Sequence, residues 1–138
     1  LANSFCVNQR NLRETLLTMS EQSELGKIGE ELAAKFLEKK DYKIHVRNWR
    51  FKKGELDIVA EKNNRMIFVE VKTRKSSFLA EPRLTISMKK QKMLITTADI
   101  YLKLNKISKE SQFDVITVIL DDRECTYEHL EDAFYPTL

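Results

Sequence analysis

Asp57, Glu70 and Lys72 are the side chains in this sequence best suited to hydrolytic chemistry. They sit in one stretch, Gly54 to Arg74, which reads GELDIVAEKNNRMIFVEVKTR. Carboxylates bind hard divalent cations through oxygen, and a lysine beside such an ion can orient water or balance developing charge. Two runs of β-type residues, 56–60 and 66–71, flank Asn63-Asn64, and Asn tolerates the positive φ that a two-residue hairpin turn requires. Pairing Lys62 with Arg65 and counting outward sets Asp57 opposite Glu70 and Glu55 opposite Lys72, with facing Cβ atoms about 4.5–5.5 Å apart. Strand periodicity then turns Glu55, Asp57, Glu70 and Lys72 to one face, and Leu56, Ile58, Val69 and Val71 to the other, which is core. Two carboxylates about 5 Å apart repel by roughly 3 kcal/mol at an effective dielectric near 20. The pair therefore calls for a proton or a cation between its members, and a divalent metal is the obvious candidate.

The elements that must position this hairpin are legible around it. Ser20 or Ser23 can cap a helix running to about Lys40, because Leu25, Ile28, Gly29, Leu32, Phe36 and Leu37 recur at helical spacing. Glu30 falls at the border of that apolar stripe, from which a carboxylate can reach an adjoining sheet, and Glu31 lies further round toward solvent. Tyr42 to Phe51 reads as a strand, with Lys52-Lys53-Gly54 as the turn into the hairpin. Arg47, Trp49 and Phe51 alternate onto one face, where Trp49 reads as core more readily than as a stacking platform; Arg50, Lys52 and Lys53 are the better phosphate contacts. Lys75 to Thr85 has no periodicity and reads as a loop. Ser87 caps a second helix whose buried stripe is Leu94, Ala98, Tyr101 and Leu102. Lys90 lies one turn before Leu94, either held toward the site or snorkelling to water. Phe113 to Leu120 is nearly continuously apolar, as a strand buried on both faces should be, interrupted by Asp114. Thr126 to Ala133 adds an edge strand or a short helix.

Asp57 followed by Glu70-x-Lys72 on the adjoining strand resembles the acid and E-x-K elements of the PD-(D/E)xK nuclease superfamily. The hairpin more closely resembles the signature of the YraN-like family of predicted endonucleases. Other marks of that family recur in order: Gly26-x-x-Gly29-Glu30, Arg47-Asn48-Trp49-Arg50, Lys90-Gln91 and Phe113-Asp114-Val115. Gln112 stands where the family commonly has arginine, so a role for that arginine does not transfer. The resemblance spans about Glu24 to Tyr135. It implies an α/β, restriction-endonuclease-like α-β-β-β-α-β core, with a mixed sheet flanked by helices. It also implies a metal-dependent endonuclease in which Asp57 and Glu70 hold Mg²⁺ or Mn²⁺, Glu30 completes the site and Lys72 serves the attacking water. Glu55 and Lys90 would support these, and Arg47, Arg50, Lys52, Lys53 and Arg74 would contact nucleic acid. Archaeal Holliday-junction resolvases share an early Glu, a strand Asp and an E-x-K, which favours branched DNA as substrate and with it a homodimer, though the chain shows no dimerisation signal. Two other readings use the same residues: a non-catalytic nucleic-acid-binding module with a nuclease-like fold, and a structural role in which Lys72 neutralises Glu55.

Length and charge bound these readings. The chain of 138 residues suits a single domain, here residues 20–138, preceded by an extension over 1–19 that lies outside the resemblance. No apolar run is long enough for a membrane span and the N-terminus shows no secretory h-region, so the expected location is cytoplasmic. Cys6 and Cys125 are too few and isolated for a disulfide framework or zinc site and read as reduced thiols. The net charge of +3 conceals a segregation. Lys43 to Lys53 carries five basic residues and no acid, whereas Asp121 to Asp132 carries six acids against Arg123. The basic segment suits a polyanion, and the acidic tail does not.

Overall fold

The computed structural model describes residues 22–75 and 86–136. A short helix expected over residues 11–19, and most of the loop expected over 75–85, lie outside these. The described elements are α1 (Gln22–Lys39), β1 (Lys43–Phe51), β2 (Gly54–Lys62), β3 (Arg65–Lys75), α2 (Met88–Leu104), β4 (Glu110–Leu120) and β5 (Cys125–Phe134). The five strands form one sheet in sequence order, with β3 and β4 parallel and the other neighbours antiparallel. A parallel pair needs a long crossover, and α2 lies within it. The fold is thus α/β with the α-β-β-β-α-β order of a restriction-endonuclease-like core, and the segment after Asp121 is an edge strand. No helix among the described residues is long and apolar enough to cross a membrane.

Both faces of the sheet are covered. α1 packs through Leu32, Ala33 and Leu37 on Ile58, Ala60, Ile67, Val69, Ile116 and Val118. α2 packs through Leu94, Ala98 and Tyr101 on Leu56, Val59, Met66, Phe68, Phe113 and Val115. Ser87 caps α2 as its sequence position suggests, its hydroxyl accepting from Lys90 N at 3.1 Å. Cys125 is fully buried at the start of β5 and is disulfide-bonded, which corrects the expectation of a reduced thiol.

The hairpin turn has Asn63 at φ 52° and Asn64 at φ 61°, the left-handed pair of a tight two-residue connection. From it the ladder runs Lys62–Arg65 to Ile58–Val69, in the register counted from the turn. There the pairing of β2 with β3 stops. Beyond it β2 continues only along β1, through Leu56–Trp49, Glu55–Arg50 and Gly54–Phe51, while β3 continues only along β4, from Glu70–Val115 to Lys75–Leu120. The two strands fork, so Glu55 and Lys72 are not a facing pair as the counting predicts.

Two glycines set how close the helices come to this fork. A Cβ on Gly29 would lie 1.7 Å from Thr73 Oγ1 and under 3 Å from the other two atoms of that side chain, and one on Gly54 would lie 2.1 Å from Thr97 Oγ1. Thr73 is β-branched and anchored in β3, so neither rotamer nor backbone yields cheaply. Gly29→Ala is expected to lower stability by about 1–3 kcal/mol, the usual cost of overpacking, and thermal melting checks it. An unchanged melting temperature would show that α1 can lift from β3 without loss.

Candidate active site

The fork collects acids from three elements. Asp57 sits at the last step before β2 and β3 part. Its Oδ2 accepts from Val71 N at 2.9 Å, taking up a strand N–H that the interrupted ladder leaves unpaired. Its side chain also hydrogen-bonds with Glu70, which is possible only if the two share a proton. Burial first, and the Glu70 charge second, push the Asp57 carboxyl far above the ordinary carboxylate range. Glu70 has only 10% of its side chain exposed and is met from α2 by Lys90, Nζ to Oε2 at 3.2 Å. Of the two positions the sequence allowed Lys90, the structure holds the one turned toward the hairpin.

Glu30 arrives from α1, whose approach Gly29 permits. Its carboxyl is raised by burial and by the nearby charges of Glu55 and Glu70, and lowered by a hydrogen bond with the Asn48 side chain and by Arg47. Glu30 in turn raises Asp57, so Glu30, Asp57 and Glu70 form one electrostatic group. Lys72 lies one strand period beyond Glu70, on the same face, half-buried and in step with Thr117. Glu55 instead pairs with Arg50 across the β1–β2 ladder, Arg50 NH2 to Glu55 Oε1 at 3.1 Å. The expectation that Glu55 positions Lys72 is therefore replaced. Glu55 follows β1 at the fork, and its partner follows from that.

The basic residues cluster at the same end of the sheet. Arg47, Arg50, Lys52 and Lys53 are exposed along β1 and its turn, with Lys52 at φ 54° and its ammonium 5.7 Å from the Phe51 ring centroid; Arg74 is half-buried near the end of β3. Trp49 is core, edge-on to Tyr101 at 5.1 Å and stacked on Phe51 at 6.0 Å. Arg47 does not share its face. The core side changes between Val46 and Trp49 on β1, and between Leu56 and Ile58 on β2, so strand periodicity breaks at Asn48 and Asp57 together.

This arrangement of elements and residues can be set beside other proteins. Residues 29–118 match the family described as Uncharacterised protein family UPF0102. A UPF0102 protein of Bacteroides thetaiotaomicron is 44% identical over 120 residues, 87% of this chain and 99% of that relative. The chain belongs to the UPF0102 family. Another member, from Bacteroides fragilis, is 45% identical over 120 residues with the same coverage, and one from Flavobacterium psychrophilum is 42% identical over 117 residues, 85% of this chain and 98% of that protein. The matched region contains Glu30, Asn48, Asp57, Glu70, Lys72 and Lys90.

A second polar cluster in this UPF0102 protein lies deeper in the sheet, and sequence reasoning did not assemble it. Asp114, His129 and Glu131 bring ligand atoms within 4.8 Å of one another and could hold a metal ion. Asp114 is fully buried. Its Oδ1 accepts from Gln112 Nε2 at 3.0 Å and Asp132 N at 3.1 Å, and its Oδ2 lies 2.7 Å from His129 Nε2. Gln112 also accepts from Arg65, and Tyr42 donates to Glu131 at 3.3 Å. Both Asp114 oxygens are thus satisfied within the protein, which is how a buried carboxylate is stabilised without an ion. The Asp57–Glu70 pair differs: its mutual hydrogen bond exists only while a proton stands between two acids. A divalent cation fits there in place of that proton, with Glu30 near enough to contribute directly or through water.

Proposed function

We propose that this UPF0102 protein is a Mg²⁺- or Mn²⁺-dependent endonuclease that hydrolyses phosphodiester bonds in DNA, with branched DNA as its preferred substrate. The observation that carries the reading is the buried Asp57–Glu70 pair at a strand fork, with Lys72 one period further along the same face. A bound divalent ion would supply Lewis acidity to the scissile phosphate and lower the pKa of water. Asp57 and Glu70 hold that ion. Asp57 is fixed by the Val71 N–H, which leaves its other oxygen to the ion, and Glu70 is fixed by Lys90. Lys72 orients the attacking water and balances negative charge as the phosphorane develops. Arg47, Lys52 and Lys53 lie at the open end, where a nucleic-acid backbone can approach the fork.

Labelled junctions, flaps, nicked and linear duplexes, incubated with purified protein in Mg²⁺ or Mn²⁺, test the reading. Cleavage of branched substrates that EDTA and Asp57→Asn both abolish is the expected result. Metal-independent cleavage, or none on any substrate under conditions where the ion binds, would leave the non-catalytic module in its place. The basic turn makes a separate prediction. Replacing Arg50, Lys52 and Lys53 by Ala should weaken binding to every DNA alike. It should also flatten the plot of log K against log salt by up to about 0.9 per lost phosphate contact. Arg50 is already engaged by Glu55, so the two lysines should account for most of the change; an unaltered slope in filter-binding titrations would make this a solvated edge.

A further inference from the structure

Asn48 occupies a backbone state that a strand residue ordinarily avoids. Its φ is 53°, in the left-handed region, although it lies inside the nine-residue strand β1. Among non-glycine residues Asn enters that region most readily, and such conformations concentrate where a fold uses them. The ladder passes from Arg47–Ile58 to Trp49–Leu56, which sets Asn48 across from Asp57. Both strands change face there: Val46 and Trp49 reach the same core layer three residues apart, as do Leu56 and Val59. The Asn48 side chain bonds the Glu30 carboxylate, which stands among the like charges of Glu55, Glu70 and Asp57.

We infer that Asn48 is a positioning residue, whose left-handed backbone turns its amide onto Glu30 and holds that carboxylate at the fork as the third acid of the metal site. The inference rests on the proposed function and adds a residue to it. Glu30 is only half-buried on the flank of α1, and repulsion from three acids would drive an unrestrained carboxylate outward to water. Arg47, the other group that lowers its pKa, is exposed and long, and gives charge without direction. An amide restrains the carboxylate by a donated hydrogen bond and adds no positive charge beside the ion. That is the property a neighbour of a metal-binding acid needs, since a lysine in its place would compete with the cation.

The test separates backbone from side chain. Asn48→Gly keeps access to the left-handed φ and removes the amide; Asn48→Asp keeps the shape and places a carboxylate against Glu30. Mn²⁺ affinity of the full chain is measured by electron paramagnetic resonance, with melting in EDTA as the control for folding. Both variants should bind Mn²⁺ about 10–100-fold more weakly than the parent, the usual range for loss of a group that orients a metal ligand. Asn48→Gly combined with Glu30→Gln should bind no more weakly than Glu30→Gln alone, because the amide acts only through that acid. This comparison remains decisive even if Asn48→Gly lowers stability, since both sides share the Glu30→Gln background. Mn²⁺ affinity of Asn48→Gly within twofold of the parent, or a further loss in the double variant, overturns the inference. A parent whose Mn²⁺ binding is untouched by Asp57→Asn overturns instead the assignment of the metal to the fork.

Discussion

Lys72→Ala is expected to keep the fold, the metal response and DNA binding of the parent while losing cleavage by about 10²–10⁴-fold. Lys72 is on the face of Glu70 but not opposite Glu55, so its removal does not orphan a cross-strand partner on β2. Its contribution arises as charge develops on the scissile phosphate and on the attacking water. A group that acts there lowers the barrier without tightening the ground state. Single-turnover cleavage at saturating protein isolates this step from binding. A purified Lys72→Ala protein that cleaves within about threefold of the parent would remove lysine from the mechanism, and Lys90, held 3.2 Å from Glu70, would be the next cation to test.

How much of this was legible in the sequence depended on how local the determining force was. The hairpin register was, because Asn63-Asn64 fixes it at the turn and every pair to Ile58–Val69 follows by counting. The fork was not. Counting assumes that a ladder continues, whereas its end is decided by which neighbour each strand keeps: β1 holds residues 54–56 and β4 holds 70–75. Glu55 was misassigned for that reason alone. Periodicity likewise grouped Arg47 with Trp49 and Leu56 with Ile58, because nothing in a period-two count registers a left-handed residue. An Asn inside a strand pattern, between Arg47 and Trp49, was the available signal. Asp114 was visible as a polar interruption in an apolar strand, but its partners are on another strand. His129 and the Asp132 amide reach it through a register shift opposite Asp114, with Asp132 at φ 50°. Gly29 was readable only as part of a motif; its reason is the Thr73 side chain, which packing and not sequence brings beneath it.

The Asp57–Glu70 pair makes stability itself a readout of the site. In EDTA the folded protein keeps Asp57 protonated up to about pH 8, whereas in the unfolded chain it releases its proton near the ordinary aspartate value of 3.8. Between those limits the native state binds the extra proton, so stability of the apo protein falls as pH rises through the window and levels off above it. Asp57→Asn cannot ionise and should lose that slope, so that in EDTA at pH 8 it melts above the parent. A divalent ion reverses the order by taking the place of the proton. At a hundredfold excess over its Kd it adds about 2.7 kcal/mol, roughly 10 °C for a chain of this length, and nothing comparable to Asp57→Asn. Melting curves for both proteins between pH 5 and pH 9, with EDTA and with Mn²⁺, contain the whole test. Parallel pH slopes in EDTA would mean that the pair is solvated and ionised without cost. Equal Mn²⁺ shifts in the two proteins would direct attention to Asp114, His129 and Glu131, where His129→Gln would then abolish the shift that Asp57→Asn leaves intact.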